Sequence, residues 1–429
     1  MTFAFRERER PYSFRTPEST ADMTFSDLLI PGGQRADSVV GDDALLRALV
    51  SAEAEWVRAQ ADAGVLDPPL AARIASAIEQ AEIDPEALAS GAEGGGNPVI
   101  GLVAMLRRSV AQRVSEEASM AVHRALTSQD VMDTALMSVV ASALAGCHEA
   151  LGRTGDSLAR LSAEHADTVM VARTLGQHAL PMTFGARAGR WLDGVAAAYR
   201  ETDPDHTWLP VSGGGAAGTH RAALALESMA EDSALDMSLG DRLGHFWARR
   251  LGLNGPVADQ VWHTRRRPMI DAVEPLARAA VACAKMAGDV VISSRNEISE
   301  LAEPAAEGRG GSSAMAHKKN PTLSILIRRS GVTASRAVGA LMESEALAVE
   351  ERSELAWHLE WEPIRTVARH GLIATSLAAE LAEGLIVDPG AMTRNLNLDG
   401  NSPASRDTGN SADQARAAAR RWDTAKEQS

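Results

Sequence analysis

Cysteine, aromatic residues and positive charge are all scarce in this sequence. Its 429 residues include only two cysteines, Cys147 and Cys283, which excludes a disulfide-rich secreted scaffold, and no metal-ligand spacing surrounds either one. We therefore predict a reduced, cytoplasmic protein with neither a bound metal nor a cofactor. Its 43 basic residues are outnumbered by 57 acidic ones, and the net charge of -14 argues against a general nucleic-acid binder and against docking on an anionic membrane.

Long apolar runs and a secretion signal are also missing. We find no stretch of about 18 apolar residues that could cross a bilayer. The charged segment from Arg6 to Arg10 is not followed by an apolar segment, as a signal peptide would require. The sequence therefore predicts no membrane contact, and residues 1–25 are expected to form a disordered extension.

The sequence does have a strong helical pattern. Aromatic residues make up only 4%, alanine is abundant and runs of β-branched residues are rare, which favours helices. Apolar residues recur with helical spacing in four long stretches, from about Asp42 to Gly64, Val131 to Thr168, Asp271 to Ala302 and Leu323 to Ala348. Long helices that are apolar on several faces need several neighbours, so we predict an all-α bundle of long helices that is shared between subunits.

The predicted domain plan follows from these helices. We expect an N-terminal helical domain over 26–110, a central long-helix domain over 111–362 and a shortened C-terminal helical region with a polar tail over 363–429. After Asp399 the chain turns polar, and that tail is expected to be poorly ordered. Joints rich in glycine or containing proline interrupt the helices at 91–98, 204–218 and 308–321.

The segment Gly311–Pro321, with the sequence GSSAMAHKKNP, combines the groups that proton abstraction requires. Removing a proton next to a carboxylate demands a strong base, together with positive charge where the enolate charge develops. The hydroxyls of Ser312 and Ser313, the cation of Lys318 and the amide of Asn320 stand close together in sequence, behind glycines that free the backbone. Such a serine can act as base if backbone N–H groups stabilise its oxyanion. The alternative is a flexible surface loop, which rarely has Met, Asn and Pro in this order.

Other polar residues stand at the remaining joints. Asn97 follows three glycines, in a turn that could point its amide into a cleft. Thr127 and Ser128 stand where the second long helix begins, and a helix N-terminus attracts anions. Together with Asp130, they could equally do no more than cap that helix. His178 follows another polar segment, where a lone histidine is more often structural than catalytic.

Together these motifs resemble the fumarase, aspartase, argininosuccinate lyase and adenylosuccinate lyase superfamily. The loop is similar to its GSSxMPxKxNP signature, and Asn97, the segment Thr127–Asp130 and the segment Arg173–Gln177 follow in the family's order, over about residues 25 to 400. The resemblance implies that Ser312, as an alkoxide, is the base, while Lys318 and Asn320 hold the carboxylate and its enolate charge. It places at the substrate Asn97, His123, Arg124, Thr127, Ser128, Gln129, Arg173, Thr174, Gln177, His178, Ser313, Met315 and Arg352. It also implies a homotetramer in which each active site draws segments from three chains.

Further segments narrow the resemblance. Trp262–Thr264, Gly213–Thr219 and Trp357–Glu362 look like the 3-carboxy-cis,cis-muconate cycloisomerases. Three residues depart from the pattern. Ala316 stands where the signature has its proline, which bears on the rigidity of the loop and not on its chemistry. Leu175 stands where several relatives carry a histidine that serves as general acid, and Arg124 stands where cycloisomerases usually carry a bulky aromatic residue.

Three functions stay open. We favour a lyase that performs anti β-elimination on a substituted succinate, with cleavage of a C–N bond and release of fumarate through an aci-carboxylate. Nitrosuccinate or an amino-substituted succinate would suit it, because a good leaving group needs no dedicated acid at Leu175. The alternatives are a lactonising cycloisomerase of aromatic catabolism and a catalytically silent structural homologue, against which the retained Ser312, Lys318 and Asn320 argue. The expected substrate is a small di- or tricarboxylate.

Overall fold

A computed structural model describes residues 27–229, 237–253, 261–311, 315, 318–397 and 407–427. Six helices make up the N-terminal part: α1 (Asp37–Val40), α2 (Asp42–Asp62), α3 (Pro68–Glu79), α4 (Pro85–Gly95), α5 (Val99–Arg113) and α6 (Glu116–Ser119). A 3-10 turn over Gly33–Arg35 precedes them. Buried apolar side chains of α2 pack this part onto the rest of the chain through contacts with α7 and α10, which are defined below.

Long helices form the centre of the subunit. The remaining helices are α7 (Ser128–Glu164), α8 (Phe184–Glu201), α9 (Arg221–Leu224), α10 (Leu239–Leu251), α11 (Arg267–Ser293), α12 (Thr322–Ala346), α13 (Ala356–Leu359), α14 (Trp361–Glu383), α15 (Pro389–Leu396) and α16 (Ser411–Glu427). Helices α11, α12 and α14 pack against one another, and α14 also packs against α7. The prediction of an all-α long-helix bundle is confirmed.

Two short antiparallel strand pairs lie among the helices. Strands β1 (Val169–Thr174) and β2 (Gln177–Thr183) form a hairpin, and β3 (Leu301–Ala302) pairs with β4 (Ile386–Val387). Leu175 and Gly176 make the hairpin turn with positive φ angles of 51° and 81°. The leucine accepts this left-handed conformation although it suits glycine better.

The predicted helices are present with shifted ends. The second begins at Ser128 instead of near Val131 and ends at Glu164. The third is wrong at its C-terminal end, because α11 stops at Ser293 and the residues up to Ala302 form a turn and a strand. The predicted domain boundaries after 110 and after 362 fall inside α5 and α14, so as drawn they cut continuous helices.

The prediction of a poorly ordered polar tail is wrong for residues 411–427, which form α16. The apolar side chains of Ala415, Ala418 and Trp422 recur at helical spacing and are buried. The indole N–H of Trp422 donates to Asp156 on α7 over 2.9 Å. A Cβ atom on Gly155 would lie only 2.2 Å from the Trp422 ring, so this glycine is what lets α16 dock on α7. Residues 398–406 lie outside the described part.

The sequence has no unbroken run of about 18 apolar residues, but among the described helices α7 is the one long and apolar enough to cross a membrane by length and composition. One window of this 37-residue helix has a mean hydropathy of 1.4. However, 67% of that window is buried inside the bundle, as in the core helix of a soluble protein. Its length and composition therefore give only weak evidence for a membrane span.

Candidate active site

One carboxylate organises the N-terminal end of α7. Asp130 is fully buried, and its Oδ2 atom accepts hydrogen bonds from the backbone N–H groups of Thr127 and Gly215, each over 2.9 Å. Its Oδ1 atom accepts from the backbone N–H of Gly214 over 2.9 Å and from Nε2 of His263 over 2.7 Å. The Ser212 hydroxyl also donates to Oδ1, over a longer 3.4 Å, so this buried carboxylate has five donors and is well satisfied. Asp130 therefore fixes the glycine-rich loop against the start of α7.

The predicted anion-binding residues lie at this fixed helix end. Thr127 is the N-cap of α7 and Ser128 is its first residue, and both are half-buried. Thr127 and Asp130 form a capping box: the Thr127 side chain accepts the backbone N–H of Asp130, and the Asp130 carboxylate accepts the backbone N–H of Thr127 over 2.9 Å. The capping interpretation therefore holds for both residues. Gln129 is fully buried and its side chain donates to the backbone carbonyl of His263 over 2.8 Å. Its amide donor therefore holds the neighbouring loop.

His123 and Arg124 precede this helix and have different surroundings. Nδ1 of His123 lies 2.6 Å from the buried carboxylate of Glu53, whose other oxygen accepts the backbone N–H of His123 over 3.0 Å. Arg124 is half-buried, and burial lowers the pKa of its guanidinium below the ordinary value. In the described part of the chain its side chain donates only a long 3.4 Å bond to the Met120 carbonyl and forms no ion pair. The cation is therefore available to a ligand.

Asn97 and Arg352 lie near the same end of the bundle. Asn97 is buried, donates to the Gly95 carbonyl over 3.0 Å and accepts the backbone N–H of Val99 over 3.1 Å. Its amide thus shapes the turn before α5. Arg352 donates from Nη2 to the carbonyl of Ala216, in the glycine-rich loop, over 3.0 Å.

The hairpin residues lie beyond the opposite end of α7. The Arg173 guanidinium is bidentate to the buried carboxylate of Glu300, with bonds of 2.8 and 2.7 Å. Thr174 and Gln177 face each other across the hairpin turn and are exposed, and His178 is half-buried. Arg173 therefore anchors the hairpin to Glu300, and the residues at the hairpin tip are exposed.

The signature loop is described only in part. Ser312 and Ser313 lie outside the described residues. Met315 and Lys318 are exposed, and the Lys318 backbone N–H donates to the Met315 carbonyl over 3.1 Å. The Asn320 backbone N–H donates to the Gly310 carbonyl over 2.9 Å.

Both ends of the signature loop are fixed, one by close packing at Gly310 and the other by the carboxylate of Glu303. A Cβ atom on Gly310 would lie 2.7 Å from the Asn320 carbonyl oxygen, and the φ angle of Gly310 is 67°, so a glycine is required there. Glu303 accepts the first free N–H groups of α12, those of Leu323 and Ser324, over 3.0 and 2.7 Å.

The three groups of candidate residues lie far apart in this chain. At 1.5 Å per residue the 37 residues of α7 span roughly 55 Å, with Ser128 at one end and the hairpin beyond the other. Helix α12 begins beside the signature loop and runs for 25 residues, or roughly 37 Å, toward the end where Ser128 lies. There Glu345 accepts the backbone N–H of Arg267 over 3.0 Å.

Two buried residues of this region were missing from the predicted site. His263 was noted only as part of a family motif, and Asp130 only as a capping residue. They are 133 positions apart, and no local spacing connects them. The segment Trp262–Thr264 was the one sequence signal that could have pointed to His263.

A buried charge network adjoins them. Arg266 is 1% exposed, with its Nη1 2.9 Å from Asp133 and its Nε 2.9 Å from Glu360. The Trp357 indole N–H also donates to Asp133, over 3.1 Å. Burial raises the pKa of Glu360 from 4.5 to about 7, and the Arg266 cation opposes the rise while the Asp133 charge adds to it. Arg266 thus forms ion pairs with both Asp133 and Glu360.

This network predicts a pH dependence of stability. Between about pH 4.5 and 7 folded Glu360 keeps a proton that the unfolded chain has lost, so its contribution to the free energy of unfolding falls as the pH rises. The variant Glu360→Gln, which has no proton to lose, should therefore gain stability relative to wild type from about pH 5 to about pH 8, by up to about 3 kcal/mol. Denaturant unfolding across that range measures the difference. The control is Glu362→Gln on the exposed side of the same turn, and parallel curves for Glu360→Gln and wild type would contradict the prediction.

Comparison with known proteins adds to this geometry. The family described as Lyase matches residues 35–334. The nitrosuccinate lyase of Streptomyces davaonensis is 40% identical over 390 residues, which cover 90% of this chain and 80% of that protein. The 3-carboxy-cis,cis-muconate cycloisomerase of Bradyrhizobium diazoefficiens is 36% identical over 368 residues, covering 83% and 75%. Among solved structures, the 3-carboxy-cis,cis-muconate lactonizing enzyme of Pseudomonas putida has a TM-score of 0.79 at 26% identity and covers 92% of this chain and 98% of that one.

Proposed function

Because the chain belongs to the fumarase/aspartase superfamily of lyases, we propose that it eliminates a nitrogen substituent from a substituted succinate and releases fumarate. The substrate is nitrosuccinate or a related amino-substituted succinate. Ser312 removes the proton next to one carboxylate, an aci-carboxylate forms, and the C–N bond then breaks with its electron pair leaving on nitrogen.

The observation that carries the proposal is the 40% identity, over nine tenths of this chain, to a relative whose name is nitrosuccinate lyase. The environment of Arg124 supports it. A half-buried guanidinium without an ion pair among the described residues can hold an anionic or nitro-like substituent beside Thr127 and Ser128. Nitrite is a good leaving group, so the reaction needs no general acid at the hairpin turn. The exposed Leu175, which cannot donate a proton, is therefore compatible with it.

Each remaining group has a role in this reaction. Lys318 and Asn320 hold the carboxylate next to the abstracted proton and stabilise the second negative charge that develops on it. Thr127 and Ser128 at the start of α7 bind the distal carboxylate, where the helix dipole and free N–H groups favour an anion. Thr174, Gln177 and His178 contact the substrate from the hairpin.

The enzyme is soluble and cytoplasmic.

The active site is assembled between subunits. The exposed hairpin tip and signature loop lie roughly 37 to 55 Å from Ser128 along the helix axes, so residues of one subunit leave the site incomplete. A homotetramer with a shared central bundle brings the end of one α7 to the loop and hairpin of neighbouring chains.

A second candidate function is the lactonisation of 3-carboxy-cis,cis-muconate. The cycloisomerase at 36% identity and the lactonizing enzyme with a TM-score of 0.79 support it. A catalytically silent homologue is the third candidate, and the retained Ser312, Lys318 and Asn320 argue against it.

Product analysis with the purified full-length protein tests these functions. Nitrosuccinate should yield fumarate, followed by its ultraviolet absorbance, and nitrite, followed by a colorimetric assay, in equal amounts. Aspartate tests an amine leaving group in the same way. Formation of a lactone from the muconate without elimination from either succinate would replace the lyase with the cycloisomerase. If nitrosuccinate, aspartate and the muconate are all left unchanged, the protein is the catalytically silent homologue.

A further inference from the structure

A short segment between α11 and the signature loop has two carboxylates that contact different parts of the candidate site. Glu300 is fully buried and directly precedes β3, and Glu303 is half-buried and directly follows it. Neither residue was among the predicted site residues. Three steps of extended chain span at most roughly 10 Å between Cα atoms, so the two residues are close neighbours.

Glu300 holds the hairpin at its base. Besides the two bonds from the Arg173 guanidinium, its Oε1 atom accepts the side-chain amide of Asn395 on α15 over 2.8 Å. The register of β1 against β2 shifts between Val171 and Arg173, as at a β-bulge, a feature that re-aims a side chain. Donors from two distant segments thus converge on one buried carboxylate, at the point where β1 is irregular.

The backbone around Glu300 is fixed separately from these side chains. Its N–H donates to the Ser293 carbonyl at the end of α11 over 2.9 Å, and its carbonyl accepts the N–H of Asp388 over 3.0 Å. Strand β3 then pairs with β4. Ser299 has a φ angle of 51°, a left-handed conformation that persists only where the surroundings determine the backbone. The segment therefore forms a rigid base for both carboxylates.

Glu303 holds the signature loop from the same base. Its two oxygens accept the backbone N–H groups of Leu323 and Ser324, where a negative charge also favours the start of α12. Asn320 lies three residues before Leu323, and Lys318 lies five residues before it. The Glu303 carboxylate therefore fixes the chain directly after the groups that are assigned to the substrate carboxylate.

We propose that Glu300 and Glu303 are positioning residues for the elimination. Glu300 places the hairpin that binds the substrate, and Glu303 places the loop that carries the base. This inference rests on the proposed function, and neither carboxylate touches the substrate. Because both residues stand on one rigid segment, each subunit holds its hairpin and its loop in a fixed relation. Loss of the Glu300 charge disturbs substrate binding, and loss of the Glu303 charge disturbs the chemical step.

The competing interpretation is that the two carboxylates only stabilise the fold. Glutamine separates the possibilities because it keeps the size of each side chain. The Arg173 and Asn395 groups at Glu300 are donors, and so are the N–H groups at Glu303, so the NH2 group of a glutamine faces a donor at either position. A purely structural role predicts a lower melting temperature with unchanged kinetics of the folded enzyme.

Steady-state kinetics of the full-length variants on nitrosuccinate provide the first test. We expect Glu300→Gln to raise KM about tenfold with kcat within about threefold of wild type. Glu303→Gln should lower kcat about tenfold or more with KM within about threefold of wild type. The exposed Glu297, three residues before Glu300, gives the matched control Glu297→Gln, which should behave as wild type. Wild-type kinetics in either site variant, or the same kinetic change in both, would overturn the assignment.

A second variant covers a failure of Glu300→Gln to fold. Arg173→Lys keeps the positive charge but cannot form the bidentate bond to Glu300. We expect it to raise KM in the same direction as Glu300→Gln, with kcat within about threefold of wild type. An unchanged KM in folded Arg173→Lys would contradict the role of Glu300.

Backbone hydrogen exchange tests the positioning without turnover. Glu300→Gln should speed exchange in the hairpin segment 172–180 but not in segment 318–326, and Glu303→Gln should do the reverse. If wild type consumes no substituted succinate, the proposed elimination is wrong, whereas this pattern of exchange still decides whether each carboxylate holds its own element. Faster exchange of both segments in both variants, or of neither segment in either variant, would overturn the positioning roles.

Discussion

Replacing Ser312 with alanine should lower turnover by about a thousandfold or more without disturbing folding or assembly. The hydroxyl is assigned as the base, so its loss removes proton abstraction together with the alignment of the base. The side chain is too small to contribute much packing. Steady-state rates with fumarate as product measure the effect, and the melting temperature and oligomer mass of the same preparation report on folding and assembly.

The neighbouring hydroxyl provides the matched control. Ser313→Ala changes the same atoms one position along and should cost far less than Ser312→Ala, because Ser313 is assigned to binding the substrate. Turnover by Ser312→Ala within about tenfold of wild type would remove Ser312 as the base. If Ser312→Ala and Ser313→Ala lower turnover equally, the loss comes from a changed conformation of the loop and not from removal of the base.

Mixing two inactive variants should restore activity when their mutations lie in the signature loop and at the start of α7. If Ser312 and Thr127 of one active site come from different subunits, random exchange between Ser312→Ala and Thr127→Ala subunits leaves about one quarter of the sites with both native residues. Equal mixing after dissociation and reassembly should then give about a quarter of wild-type turnover, measured after subunit exchange is verified by mass.

A second mixture tests the geometry directly. Ser312 and Lys318 lie in one loop, so a site always receives both from the same chain. Mixing Ser312→Ala with Lys318→Ala should therefore restore nothing. Recovery in this control, or a dead mixture of verified Ser312→Ala and Thr127→Ala hybrids, would contradict the composite site.

The sequence allowed the long helices to be predicted because their apolar residues repeat over many turns. It was less informative where short segments depend on distant partners. Strand β3 pairs with residues more than eighty positions later, so a helix was predicted through Ala302. Helix α16 was missed because its composition is polar and only one narrow face is buried, around Trp422. Local composition cannot show that α7 carries a glycine opposite that ring.

In the candidate site, too, groups that are close together in the sequence could be predicted, whereas contacts between distant segments could not. The chemical groups of the signature loop stand close together in the chain and could be recognised there, and so could the hydroxyls before α7. The contact between Asp130 and His263 joins two segments 133 residues apart, and tertiary packing alone creates it. Arg173 has the right type for binding a carboxylate, but the ligand it holds in this chain is Glu300.

The length of helix α7 has a consequence for the proposed assembly. Residues at its beginning and the hairpin just after its end serve different active sites of the proposed assembly, so its 37 residues set the distance between those sites. Adding one turn would lengthen this distance by about 5.4 Å, far beyond the tolerance of a hydrogen-bonded substrate. In that assembly we expect insertions and deletions within α7 to abolish activity. In the proposed assembly the length of α7 therefore determines whether an active site can be completed.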